Sequence, residues 1–469
     1  MKYISTRGQA ETLDFEGVTL TGLARDGGLY VPEEIPTFSA EEIRAMRGKT
    51  YAEIAFEVIS PFVGDCLTEG ELKRMLDATY DENYGGQFRH PAVAPLVQTG
   101  NNDWLLELFH GPTLAFKDFA LQLLGRFFDH FTAKRDQKLT ILGATSGDTG
   151  SAAIEGCRGR DNVSIFMLHP KGRVSEVQRR QMTSVIEPNV VNIAVEGNFD
   201  DCQALVKACF NDHAFRDEVG LTAVNSINWA RVMAQIVYYF TSAVALGAPD
   251  RPVSYSVPTG NFGDIFAGYI AKRMGLPIEK LVIATNSNDI LARTLETGRY
   301  ERGDVYSTLS PSMDIQISSN FERMLFDIAG RDAAVIAKYM EDLSTTGGFT
   351  LDANHHSALK ELFAAERVDD ETTKAVMQEI YASSGYIADP HTTVGIEAAN
   401  VCLPDNGAPR VTLATAHPAK FGEAVKAATG VDPVLPAHMA DLLTREERMV
   451  SLPNDEETLK ARVREGGWS

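Results

Sequence analysis

Cysteine is scarce in this chain: five in 469 residues, Cys66, Cys157, Cys202, Cys209 and Cys402. They are scattered without a CxxC pair, which excludes a disulfide framework and points to reduced thiols and a cytoplasmic home. No HExxH or similar metal-ligand spacing occurs. No stretch approaches the roughly 18 apolar residues of a membrane span, and the opening MKYISTRGQAETLDF lacks the apolar core of a secretory signal. Basic residues are in deficit, 44 Lys and Arg against 64 Asp and Glu, for a formal charge of −20. That balance argues against binding nucleic acid through its phosphates. It also means that any anionic ligand must be captured by a local positive site. Internal repeats, low-complexity tracts and Ser/Pro-rich linkers are missing as well.

What is present is an ordinary globular composition, 44% hydrophobic and 23% charged, long enough for two or three domains. Residues 1–95 read as short strands and turns followed by helices, since AEEIRAMRG, YAEIAFEVISPF and EGELKRMLDATY carry apolar residues three and four apart. From WLLELF (104–109) onward the pattern is strand, turn, helix. KLTILGAT, VSIFMLHP, VVNIAVEG, VSYSVPTG and KLVIATN each precede a helical stretch. Such alternation predicts an α/β fold whose parallel sheets are covered on both faces. Residues 320–384 read as mostly helical, ahead of a last strand-turn-helix at 411–428.

Ligands of open parallel sheets bind at the carboxyl ends of strands, and three strand-to-helix turns there have unusual content. GATSGDTGSAA (143–153) combines three glycines with the hydroxyls of Thr145, Ser146, Thr149 and Ser151. It suits an anion at a helix N-terminus and equally a tight, capped turn. It matches neither a Walker A loop nor GxGxxG. PTGNFGD (258–264) opens straight into a helix, with Gly260 and Gly263 permitting close backbone approach. ATAHPAKFGEA (414–424) places Thr415, His417 and Lys420 at another strand end. Ahead of all three, HGPTLAFKDFA sets Lys117 between Phe116 and Asp118. A lysine in a dry pocket has a depressed pKa and can form a Schiff base. Such a lysine together with anion-ready loops suits a ligand with an aldehyde at one end and a phosphate at the other, pyridoxal phosphate.

At this point STRG, DGGLYVP, HGPTLAFKDFA, GATSGDTGSAA, VPTGNFGD, SSNFER, DPHTTVG and TAHPAKF together resemble the threonine synthases, in the branch of the longer bacterial and fungal enzymes. The resemblance covers nearly the whole chain. It implies a fold type II pyridoxal-phosphate enzyme, similar to the tryptophan synthase β subunit. We expect an N-terminal, mostly helical region over 1–95, a large cofactor-binding domain from 96–135 and 216–469, and a small α/β domain over 136–215. Lys117 matches the lysine that holds the cofactor. Gly260, Asn261, Phe262, Gly263 and Asp264 match the loop around its phosphate, with Phe262 and Asp264 acting through backbone and loop shape. Thr415 matches the hydroxyl facing the pyridine nitrogen. Thr145, Ser146, Asp148 and Thr149 match the region that receives the substrate's α-carboxylate.

The implied reaction converts O-phospho-L-homoserine and water to L-threonine and phosphate, in a monomer or homodimer without nucleic acid or membrane. A related phospho-lyase or a serine/threonine dehydratase is the nearest alternative, and a noncatalytic phosphate-binding protein is one of another class. For the substrate phosphate, ISSNFERMLFDIAG (317–330) supplies capping residues, a helix N-terminus, Asn320 and Arg323. Failing these, Lys420 or Arg7 would take that role.

Overall fold

The computed structural model describes residues 1–145 and 147–468. Two sheets organise it. The larger has six strands in the order Phe363–Arg367, Ile278–Thr285, Val253–Pro258, Arg410–Ala414, Asp103–Glu107, Leu96–Gln98. Its first five strands are parallel and the last pair is antiparallel. The second sheet is wholly parallel, in the order Val450–Pro453, Val190–Glu196, Val163–Pro170, Leu139–Ala144, Leu221–Thr222. The central strands are buried on both faces, Val253–Pro258 throughout, as parallel strands between helix layers must be.

Two sets of contacts cross the expected domain boundaries. Residues 450–464 belong with the second sheet, although the sequence reading assigned them to the large domain. Val450–Pro453 pairs with Val190–Glu196 and forms the edge of that sheet. The helix Glu456–Arg464 then buries Leu459 and Val463 in that sheet's core, and Trp468 Nε1 donates to Val190 O at 2.7 Å. An edge strand with open N–H and C=O groups recruits such a partner, and VSLP is too short to announce it. The first 95 residues also share one hydrophobic core with the large sheet's helices. Tyr3 and Phe62 pack on Trp229, ring centroids 6.0 and 5.7 Å away. Within 320–384, the strands Gly348–Thr350 and Phe363–Arg367 interrupt the expected helices. FAAER continues the helical composition before it, and only the neighbouring Ile278–Thr285 strand makes it a strand.

One helix crossing positions the site. Helix Lys117–Arg135 is buried along most of its length and crosses helix Asp148–Cys157. At the crossing, a Cβ on Gly125 would lie 1.9 Å from Gly156 O, and one on Gly156 would lie 2.3 Å from Leu121 O. Only glycine permits this backbone approach. The crossing brings the first residues of the two helices, Lys117 and Asp148, to the same cavity.

Candidate active site

The cavity lies at the carboxyl ends of strands Val253–Pro258 and Arg410–Ala414, where a switch-point ligand site belongs. Lys117, Asp148, Thr149, residues 258–264 and Thr415 line it, so the structure brings the expected lysine, glycine loop and hydroxyl together. Lys117 is only 9% exposed, and its Nζ sits 4.7 Å from the centre of the Phe116 ring. Burial pushes this ammonium below the ordinary lysine range. Asp148 opposes that shift, and the charges of Lys420 and Arg231 reinforce it.

Opposite the lysine, helix Gly263–Arg273 begins with no side chain capping its free N–H groups. Phe262 precedes it in the left-handed region, φ 62°, a conformation costly for a side-chain-bearing residue. A Cβ on Gly260 would crowd Ile315 and Ser312 O at 3.0 and 3.1 Å. A strained, glycine-dependent turn feeding an uncapped helix N-terminus has the geometry of a phosphate cradle. The Asp264 carboxyl turns away from the cradle, accepting from the hydroxyls of Tyr238 at 2.6 Å and Tyr239 at 3.0 Å. Burial outweighs these bonds and lifts it to about 6. Thr415 is buried in the cavity wall, its carbonyl held by the Phe116 N–H at 2.9 Å. These groups fit pyridoxal phosphate: an amine for the aldehyde, a helix N-terminus for the phosphate and a neutral hydroxyl for the ring nitrogen.

The hydroxyl-rich loop departs from its expected role. Thr145 Oγ1 accepts the N–H groups of Gly147 and Gly150, both at 2.9 Å, so this hydroxyl caps its own helix. Ser146 lies outside the described residues. Asp148 is engaged by Lys420 at 2.7 Å, Lys117 at 3.7 Å and Gln178 at 2.9 Å. Burial raises its pKa, but the two lysines and these hydrogen bonds overcome that and hold it well below the usual carboxylate range. An ionised carboxylate repels the substrate's α-carboxylate, so Asp148 is not its receptor. Thr149 alone of the described three keeps an open place on the cavity.

The assignment of Asn320 and Arg323 to the substrate phosphate also fails. Arg323 is fully buried away from the cavity. It donates from Nε to Tyr30 O at 3.0 Å, from Nη2 to Ile227 O at 2.5 Å, and from Nη1 to Asn320 Oδ1. Asn320 Nδ2 in turn donates to Ser226 O and Asn261 O, at 3.1 and 3.2 Å, and Ser318 Oγ donates to Gly260 O at 2.5 Å. Glu322 accepts a forked bond from Arg7 and the Thr6 hydroxyl at 2.6 Å. SSNFER, STRG and DGGLYVP thus form one buttress behind the phosphate loop. Arg7 and Lys420 are both committed elsewhere, so neither replaces Arg323.

Two cavity residues escaped the sequence reading. Arg231 is 4% exposed; among the described residues its Nε has no partner, and Nη1 makes only a long 3.4 Å bond to Val224 O. Burial pushes it down to about 10, and no carboxylate pairs with it among the described residues. His391 holds Asp389 through Nδ1 at 2.9 Å and accepts the Ser312 N–H on Nε2 at 3.3 Å. DPHTTVG carried a signal for the second, an Asp cap ahead of a histidine. NSINWARVMAQ reads as a plain helix and carried none for the first.

Family models cover the chain in three consecutive pieces: "Threonine synthase N terminus" over residues 2–80, "Pyridoxal-phosphate dependent enzyme" over 90–342, and "Threonine synthase, C-terminal" over 392–463. A threonine synthase from Pseudomonas aeruginosa is 56% identical over 468 residues, covering 100% of this chain and 99% of that protein. Among solved structures, a pyridoxal-phosphate-bound threonine synthase from Brucella melitensis is 56% identical with a TM-score of 0.97, and each chain covers 100% of the other. The yeast threonine synthase structure is 41% identical with a TM-score of 0.93, over 99% of this chain and 98% of that one. The chain is therefore a pyridoxal-phosphate enzyme and belongs to the threonine synthase family.

Proposed function

We propose that the protein converts O-phospho-L-homoserine and water to L-threonine and inorganic phosphate. The observation that carries this reading is that an uncapped helix N-terminus and a buried guanidinium, both suited to anions, line one cavity with a buried lysine. The uncapped N-terminus of helix Gly263–Arg273 suits the cofactor's phosphate. Arg231, buried and without a carboxylate partner among the described residues, suits a second one. A buried guanidinium without a counter-charge is unfavourable until an anion arrives. A serine or threonine dehydratase acts on a substrate with no phosphate and has no use for that second cation.

Lys117, Thr415 and the loop 260–264 would hold the cofactor, which when bound supplies the electron sink for carbanions formed on the substrate. Lys117 is then the group placed to take protons from the substrate's carbon skeleton. Its burial among apolar groups favours the uncharged amine that this work needs. Arg231 orients the leaving phosphate and steadies its charge as the bond to carbon breaks. Thr149 is the remaining candidate for the α-carboxylate. We place the reaction in the cytoplasm, in keeping with five free thiols, and in a monomer or homodimer.

Incubating the purified protein with phosphohomoserine tests the reading. Threonine and free phosphate should appear in equal amounts. Ammonia with a keto acid would indicate the dehydratase instead, and no product together with no visible chromophore would indicate a noncatalytic binder.

A further inference from the structure

Two lysines share one carboxylate at the edge of the cavity. Lys420 lies in the short turn Pro418–Phe421 with its side chain wholly buried. Its Nζ donates to Asp148 Oδ1 at 2.7 Å and to Thr113 O at 2.8 Å. The same Oδ1 accepts from Gln178 Nε2 at 2.9 Å, and Oδ2 accepts from Ser312 Oγ at 3.1 Å. Lys117 reaches Oδ2 only at 3.7 Å. Each short contact of Asp148 is thus made with a group other than the catalytic lysine. An ammonium in full contact with a buried carboxylate keeps its proton, whereas a lysine that must take one from carbon has to be uncharged.

We propose, on the reading of function given above, that Lys420 is a positioning residue: it anchors Asp148 at a distance from Lys117 and so leaves Lys117 available as the uncharged base. The anchor is itself fixed. Thr113, whose carbonyl holds Lys420, is pinned by Asp118 through its N–H at 2.8 Å and its hydroxyl at 2.7 Å. The segment that carries Lys117 therefore also sets the residue that guards it.

The surrounding charges agree in direction. Arg231 and Lys420 add to burial in disfavouring the charged form of Lys117, and Asp148 favours it. Asp264 also faces Lys117, while Asp118 and His417 face Lys420. His391 on the cavity wall is occupied by Asp389. Deleting the Lys420 charge both frees Asp148 to close on Lys117 and removes a repelling neighbour, and both effects make Lys117 harder to deprotonate.

The test is the pH profile of kcat for full-length holoenzyme with phosphohomoserine, in Lys420→Met, Lys420→Arg and the double variant Lys420→Met/Asp148→Asn. In Lys420→Met the acid limb should move up by about one to three pH units, with kcat falling about tenfold per unit below it. Lys420→Arg should keep the wild-type limb whatever its kcat. The double variant should return the limb to the wild-type position or below. A second readout needs no turnover. Trinitrobenzenesulfonate labelling of Lys117 in the cofactor-free full chain, located by peptide mass, should shift in pH the same way. A limb and labelling curve that stay put in Lys420→Met while kcat drops at every pH would overturn the proposal, as would a double variant worse than the single. If Lys420→Met does not fold, the double variant decides, since it strands no buried charge: a limb above the wild-type one overturns the proposal. Should the wild type fail to release threonine, the proposed function falls, and the labelling curves still decide the role of Lys420.

Discussion

Replacing Arg323 with leucine separates the two readings of SSNFER most sharply. The guanidinium is buried, is driven down to about 9 by that burial, and bonds three acceptors: Tyr30 O, Ile227 O and Asn320 Oδ1. Leucine keeps much of the packing beside Trp229 and strands all three. Each stranded buried acceptor costs about 1–3 kcal/mol, and relief from burying a charge offsets part of the sum. A net loss of roughly 2–5 kcal/mol is expected, at the upper end of what single substitutions do. The effect should reach the cofactor. With Oδ1 released, the Asn320 amide is free to turn, and its two bonds from Nδ2 to Ser226 O and Asn261 O weaken. Losing one to two such bonds is worth about 1–2 kcal/mol on the loop. The dissociation constant for pyridoxal phosphate should therefore rise about 5- to 30-fold.

The assay is a fluorescence titration of apoenzyme with pyridoxal phosphate, beside thermal unfolding of the apo form. KM for phosphohomoserine, measured at saturating cofactor, should stay close to the wild-type value. Unchanged cofactor affinity and unfolding temperature, with a raised KM and weaker inhibition by phosphate, would refute the buttress. That outcome would return Arg323 to the substrate.

Three further outcomes follow from the site. Borohydride reduction of the holoenzyme and peptide mapping should place the pyridoxyl label on Lys117, and Lys117→Ala should lose nearly all turnover because cofactor anchor and base vanish together. Arg231→Gln should raise KM for phosphohomoserine and weaken phosphate inhibition, at a cost of roughly 1.5–3 kcal/mol for one charge-assisted contact, while cofactor affinity holds; unmoved KM and inhibition would place the leaving phosphate elsewhere. Thr415→Asp should change the absorption spectrum of the bound cofactor by supplying a charge to the ring nitrogen, and an identical spectrum and product ratio would count against that contact.

The features legible in the sequence were those written locally. A strand entering a glycine turn and then a helix is encoded by neighbours, so the loop 260–264 and Lys117 were readable, and the structure puts them in one cavity. Roles set by distant partners were not. Arg323 looks like a clamp because serines, an asparagine and a helix start precede it. Tyr30, 293 positions away, makes it a buttress instead. Asp148 sits in a loop that resembles a carboxylate receptor, yet Lys420 and Lys117 turn it into a counter-ion. Arg231 shows the same limit from the other side. Within its helix it is one polar residue among WARVMAQIVYYF, and snorkelling to solvent is the ordinary expectation. Only the fold shows that it is 4% exposed and that no carboxylate pairs with it among the described residues, and such a buried cation is what marks it for an anionic substrate. Charge in this protein takes its meaning from what closes over it. With a net charge of −20, selection for anionic ligands has to be built from such enclosed cations, because the surface field repels them.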